Sequence, residues 1–189
     1  MISKYLPVVF LATMLAVLAV LVAAPEDAGA ARTDEVTTTE VSAATVRGCT
    51  GGNVSLSADE KRMLDLHNKT RAEHGLPKFC VHPALQRAAR AHSKEMIDKD
   101  YFKHNSASGQ KYWDRLESFG YNWWTAGENI LYDPGSQDSA GSLFKVWMKS
   151  SDHRANILNQ RFREIGIGAS TGSYKGGRAT MWTADFGDR

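Results

Sequence analysis

Sixteen of the eighteen aromatic residues lie at or after Phe79. Large rings dominate the buried area of small cores. The chain must therefore build its core from its C-terminal part. Residues 31–55 hold six threonines, three glycines and no aromatic residue. Such a stretch reads as a flexible linker, because it buries too little apolar surface to offset its ordering entropy. The folding unit is then residues 56–189, one domain by length.

The other end of the chain reads as an export segment. Lys4 precedes an uncharged apolar run, Tyr5–Ala24, and Ala28-Gly29-Ala30 supplies the small residues of a cleavage site. Residues 1–30 read as a signal peptide cut after Ala30. The run is also long enough to span a bilayer, so an uncleaved membrane anchor is the competing reading. Either places the rest of the chain outside the cytoplasm, secreted or held at the cell envelope. Net charge is +2. Removing residues 1–30 takes away one lysine and two acids, leaving +3. That is too mild for nucleic acid, and membrane contact is expected only through an uncleaved N-terminal segment. A monomer is expected. Cys49 and Cys80 are the only cysteines, and in an exported chain they are expected to pair.

Four helices are expected. Ser57 with Glu60 forms a capping box, followed by Met63, Leu66, His67, Thr70 and His74 at helical spacing. Gly75-Leu76-Pro77 stops that helix. A second starts at Pro83, with His82 as a cap or loop residue and Leu85, Ala88, Ala89, His92 and Met96 on its buried face. A third spans about 110–119 and a fourth about 139–149, with a short turn at 151–158. Strands are expected at 121–126, 164–170 and 178–186, the last two joined as a hairpin around the Gly-rich stretch 171–177. Helices followed by an antiparallel hairpin argue for an α+β fold.

His67, His74 and His92 fall on helix faces and read as packed histidines. His104, His153 and Glu128 sit in loops or at element ends. Two imidazoles and a carboxylate suit a divalent cation or acid–base work. Three independent surface or capping residues are the plainer alternative. A nucleophile is hard to find. No GxSxG motif occurs, and Ser150 and Ser151 precede a short helix, as N-caps do.

His67-Asn68-Lys69-Thr70-Arg71 with Gly75-Leu76-Pro77 resembles the opening helix of the CAP superfamily. That superfamily comprises cysteine-rich secretory, antigen 5 and pathogenesis-related proteins. Tyr101-Phe102-Lys103-His104, Gly127-Glu128-Asn129-Ile130, His153-Arg154-Ala155-Asn156 after Trp147, and Glu164-Ile165-Gly166-Ile167-Gly168 match in order, in the bacterial form. The resemblance implies an α-β-α sandwich with a small antiparallel sheet between helical layers. It implies a cleft in which His104, Glu128 and His153 take the family's positions and hold zinc or magnesium. The family's second acid falls at Ser150, so the ligand set is incomplete. Asp152 or Glu164 are the candidates to compensate, with Asn129 and Asn156 in support. Together these readings favour a non-catalytic binding module for a lipid or sterol, a glycan or a protein. The groove would be lined by Trp113, Trp123 and Trp124, although core packing is the plainer role for those rings. The alternative is a metal-dependent hydrolase, protease-like, using His104, Glu128 and His153. A third reading gives those three residues only the task of tying loops together.

Overall fold

A computed structural model describes residues 43–135 and 140–189. The signal or anchor segment, most of the linker and Ser139 lie outside the described residues. In chain order the elements are β1 Ala44–Arg47, β2 Asn53–Leu56, α1 Ala58–Glu73, β3 Cys80–Val81, α2 Pro83–Asp98, α3 Tyr112–Ser118, β4 Thr125–Asp133, α4 Ala140–Lys149, α5 Ser151–Ile157, β5 Glu164–Tyr174 and β6 Gly177–Asp188.

The main sheet has the order β3-β5-β6-β4. Strands β4, β6 and β5 are antiparallel, and β3 adds a short parallel pair at one edge. Side chains alternate across the pleat, so each strand feeds two layers. Ile165, Ile167, Trp182, Ala184, Phe186 and Leu131 point to one layer, with Trp147 of α4, Ile157 of α5, and Met63 and Leu64 of α1. On the other side α2 lies along β5 and β6, with α3 beside it. This is the expected α-β-α sandwich.

Close approach of α2 depends on missing side chains. A Cβ on Gly166 would stand 2.1 Å from the Leu85 carbonyl carbon, and one on Gly168 would stand 2.4 Å from that of Ala89. Glycines at i and i+2 on the strand thus receive helix backbone at i and i+4. No other residue permits that spacing.

Both ends of α1 form as expected. Ser57 Oγ accepts from Glu60 N, and Glu60 Oε2 accepts from Ser57 N. Gly75, at φ 67°, turns the chain away. The histidine–arginine motif of α1 is architectural. Asn68 exchanges two hydrogen bonds with the Phe79 backbone. Arg71 is fully buried and donates to the carbonyls of Pro77, Ile157, Asn159 and Phe162. It therefore binds α1 to the loop after α5. His67 lies among Phe79, Phe144, Trp147 and Phe186. His74, by contrast, is exposed at the C-cap of α1, its Nδ1 bonded to Thr70 O, and is not the packed histidine expected.

Two expectations are corrected. Residues 44–55 are not flexible linker. They form the β1–β2 hairpin, because Val54 and Leu56 alternate inward and are buried, with Val46 against the same core. The Cys49–Cys80 disulfide, as expected, staples this hairpin to β3. Such a link stabilises by about 2–4 kcal/mol. The fourth strand runs over Thr125–Asp133 and not 121–126. Tyr121 is drawn out of the sheet, packing on Ala84, Leu85 and Leu116 and donating to Glu164 Oε2 at 2.8 Å.

Strand β4 is an edge, and edges invite unwanted pairing. Here its outward carbonyls are covered by side chains. Tyr112 Oη donates to Ala126 O, Asn156 Nδ2 to Glu128 O and Trp147 Nε1 to Ile130 O.

Candidate functional site

The three residues singled out from the sequence gather around the covered edge of β4. Glu128 is not in a loop. It is the fourth residue of β4, pointing toward α2, and is 5% exposed. His104 arrives from the segment after α2 and is bonded through Nδ1 to Glu128 Oε1 at 2.8 Å. Its ring is about half exposed. His153 sits in α5. Asn129, the next residue of β4, points the other way and donates to His153 O at 2.9 Å, and Asn156 donates to Asn129 Oδ1 at 2.8 Å. The two asparagines thus lock α5 to the strand. His153 Nδ1 is buried and has no hydrogen-bond partner among the described residues. Burial first, and the nearby His104 second, lower the pKa of His153, while Asp152 opposes them.

Three further residues complete the cluster: Arg115 and Asp185, which the sequence reading did not single out, and His92, which it read as a packed histidine. Arg115 of α3 pairs with Glu128 Oε2 and donates to His104 O and Ser106 Oγ, each at 3.1 Å. It is 3% exposed. His92 Nε2 donates to Lys103 O at 3.0 Å and stands 4.0 Å from Glu128 Oε2. Burial holds the His92 imidazole down at about 4, with Glu128 pulling up and Arg115 pushing down. Asp185 is the cross-strand partner of Glu128 in β6 and is fully buried. Burial, then the Glu128 charge, raise its carboxyl well above the usual range. Neither Asp185 oxygen has a hydrogen-bond partner among the described residues.

Asp185 carried one signal in the sequence. It is an acid in a strand whose neighbours Trp182, Ala184 and Phe186 are core residues. Arg115, a charged residue on a short helix, carried none. Of the proposed substitutes for the second acid, Asp152 is exposed and bonded to Ser151 Oγ. Glu164 lies elsewhere, at the start of β5, held by Tyr121 and Arg189. It stands across β6 from β4, and those two partners hold its carboxylate there. Ser150 is the N-cap of α5 and makes no side-chain capping bond.

A divalent ion needs convergent, unpaired donors. Both oxygens of Glu128 are engaged, one by a guanidinium that repels a cation. Among the described residues, the only trio of potential ligand atoms mutually within 4.8 Å is Cys49, Cys80 and Glu164, whose thiols form the disulfide. With both oxygens taken, Glu128 is not free to serve as the carboxylate ligand that the resemblance implies.

Residues 64–186 match the profile of the cysteine-rich secretory protein (CAP) family. The chain belongs to the CAP family. Among relatives, YkwD of Bacillus subtilis (strain 168) is 39% identical over 133 residues, covering 70% of this chain and 48% of YkwD. The membrane protein YlbC of the same strain is 32% identical over 126 residues, 67% of this chain and 36% of its own. The chain thus spans about half or less of the curated relatives it matches. Among solved structures, an extracellular SCP-domain protein from Bacillus anthracis str. Ames superposes with a TM-score of 0.59 at 29% identity. That match covers 69% of this chain and 40% of the other. Among the described residues of this CAP protein, no helix is long and apolar enough to cross a membrane.

Proposed function

We propose that this CAP domain is an exported, non-catalytic binding module. The observation that carries the reading is the state of Glu128. A general base needs a free carboxylate within reach of a proton to abstract. Glu128 is instead buried between His104 and Arg115, with Asp185 behind it. The cluster holds the His104 segment, α3 and β4 in one frame, and that frame presents the half-exposed His104 ring to a ligand. The extracellular relative supports a role outside the cytoplasm.

The experiment is a turnover screen of peptide and ester substrates on the exported protein, alongside native mass spectrometry for retained ligands. No turnover and a retained or titratable ligand are expected. Hydrolysis that disappears in His153→Ala overturns the reading.

A further inference from the structure

A recess of about 660 Å³ opens at the end of the sheet where β4 and β5 begin and β6 ends. Asn122, Trp123, Trp124, Glu164 and Arg189 line it. It is separate from the histidine cluster. Trp124 precedes Glu128 by four residues, about 13 Å along an extended strand.

Its chemistry is divided. Trp124 is 80% exposed, the most exposed large apolar side chain among the described residues. The ring nevertheless has a rigid mount, since Trp124 N donates to Asp188 O at 2.8 Å and β4 starts at the next residue. Trp123 packs its body against the Ala84, Leu85 and Tyr121 cluster, and its indole N–H is buried with no protein acceptor among the described residues. The polar side is equally fixed. Tyr121 Oη and Arg189 Nε both donate to the Glu164 carboxylate, at 2.8 and 3.1 Å. Glu164 also adjoins the Cys49–Cys80 staple. An exposed indole beside oriented hydrogen-bonding groups is the composition of a ligand site, where aromatic faces supply area and a few polar groups supply orientation.

We propose that this recess binds a neutral saccharide, with one pyranose ring stacked on Trp124 and its hydroxyls bonded by Glu164, Arg189 and Asn122. A pyranose has the matching division, a face of C–H groups and a rim of hydroxyls. The Glu164–Arg189 pair cancels its own charge, which favours a neutral ring over a sugar acid or a phosphate. Three of the five lining side chains are polar, which disfavours an acyl chain. The inference rests on the binding-module reading and assigns that module a ligand class and a place.

The test is calorimetric titration of the full exported chain with an N-acetylglucosamine tetramer and with a glucose tetramer, read in parallel by tryptophan fluorescence. At least one is expected to bind and to shift the emission. Trp124→Ala is expected to weaken that binding about tenfold or more, as loss of an anchoring ring does. Glu164→Gln is expected to weaken it less, and Lys145→Ala on the exposed face of α4 not at all. Because Trp124 is so exposed, its removal leaves the melting temperature unchanged. Binding that survives Trp124→Ala overturns the site. Failure of both tetramers to bind overturns the saccharide. If phosphatidylglycerol vesicles bind instead, the saccharide falls while the binding-module reading stands. Hydrolysis lost in His153→Ala would strike the broader reading, whatever the tetramers do.

Discussion

The two faces of the sheet bury histidines to the same depth by different means. Under α1 and α4, His67 is enclosed by four aromatic rings and keeps one backbone partner, Met63 O. Under α2, His92 lies 4.0 Å from a carboxylate. Both imidazoles nonetheless have a pKa near 4, below the ordinary 6.5. A neighbouring carboxylate normally favours imidazolium. Here desolvation outweighs the pull of Glu128, which Arg115 partly offsets, so burial decides on both faces. The dry face is held by packed rings and by hydrogen bonds from Arg71, Asn68 and Trp147 to backbone carbonyls. The wet face is held by charges that satisfy one another, and it should fail differently when a partner is removed.

Arg115→Ala should show this most strongly. It leaves Glu128 buried beside Asp185 with no cation, a loss of about 3–5 kcal/mol. Urea unfolding measures it, and a loss below about 1 kcal/mol would mean that the cluster is not holding the face together.

Acidity separates the faces next. Unfolded, His67 takes a proton near pH 6.5; folded, it does so only near 4. Stability present above pH 6.5 is therefore lost as pH falls through about 4, on the order of 3 kcal/mol from this group. His67→Phe should move the acid midpoint downward, because the Met63 carbonyl keeps its helical donor. Asp185 works in the opposite sense. Its raised pKa gives stability present below the ordinary carboxyl range and lost as pH rises through the folded value. Asp185→Asn should flatten that loss in a stability profile against pH. Matching profiles for the two variants would erase the distinction between the faces.

Gly166→Ala tests how tightly α2 is seated. The added methyl meets helix backbone, which cannot rotate away. A loss of about 1–3 kcal/mol in thermal melts is expected, as for overpacked sites. The smallest effect expected is from Trp147→Phe, which keeps the ring in the dry core but uncovers Ile130 O at the β4 edge. About 1 kcal/mol should go with that hydrogen bond. A rise in self-association would show that the cover also guards the edge.

Much of the frame was legible because its signals are local. The Ser57–Glu60 box, Pro83 at the head of α2 and the β5–β6 hairpin each depend on residues a few positions apart. The hairpin of residues 44–56 was misread because its aliphatic residues are few and small, and because its packing comes from α1 and the disulfide. Trp113, Trp123 and Trp124 were indistinguishable by type. The structure leaves Trp113 39% exposed, half-buries Trp123 and leaves Trp124 in water.

The candidate site divides along the same line. His104, Glu128 and His153 could be named from short motifs, as could their membership in the CAP family. Arg115 and Asp185 could not, because what places them is the register of β4 against β6 and the seating of α3 on β4. Residue types alone show which groups are able to bear charge or bind. Pairing across strands decides which of them meet, and burial decides which of those keep a charge. By itself the chain determined its helices, its hairpin, its disulfide and its family. Only tertiary packing turned Glu128 from an open ligand into a neutralised strut, because the desolvation that fixes its partners arises only when both layers close on the sheet.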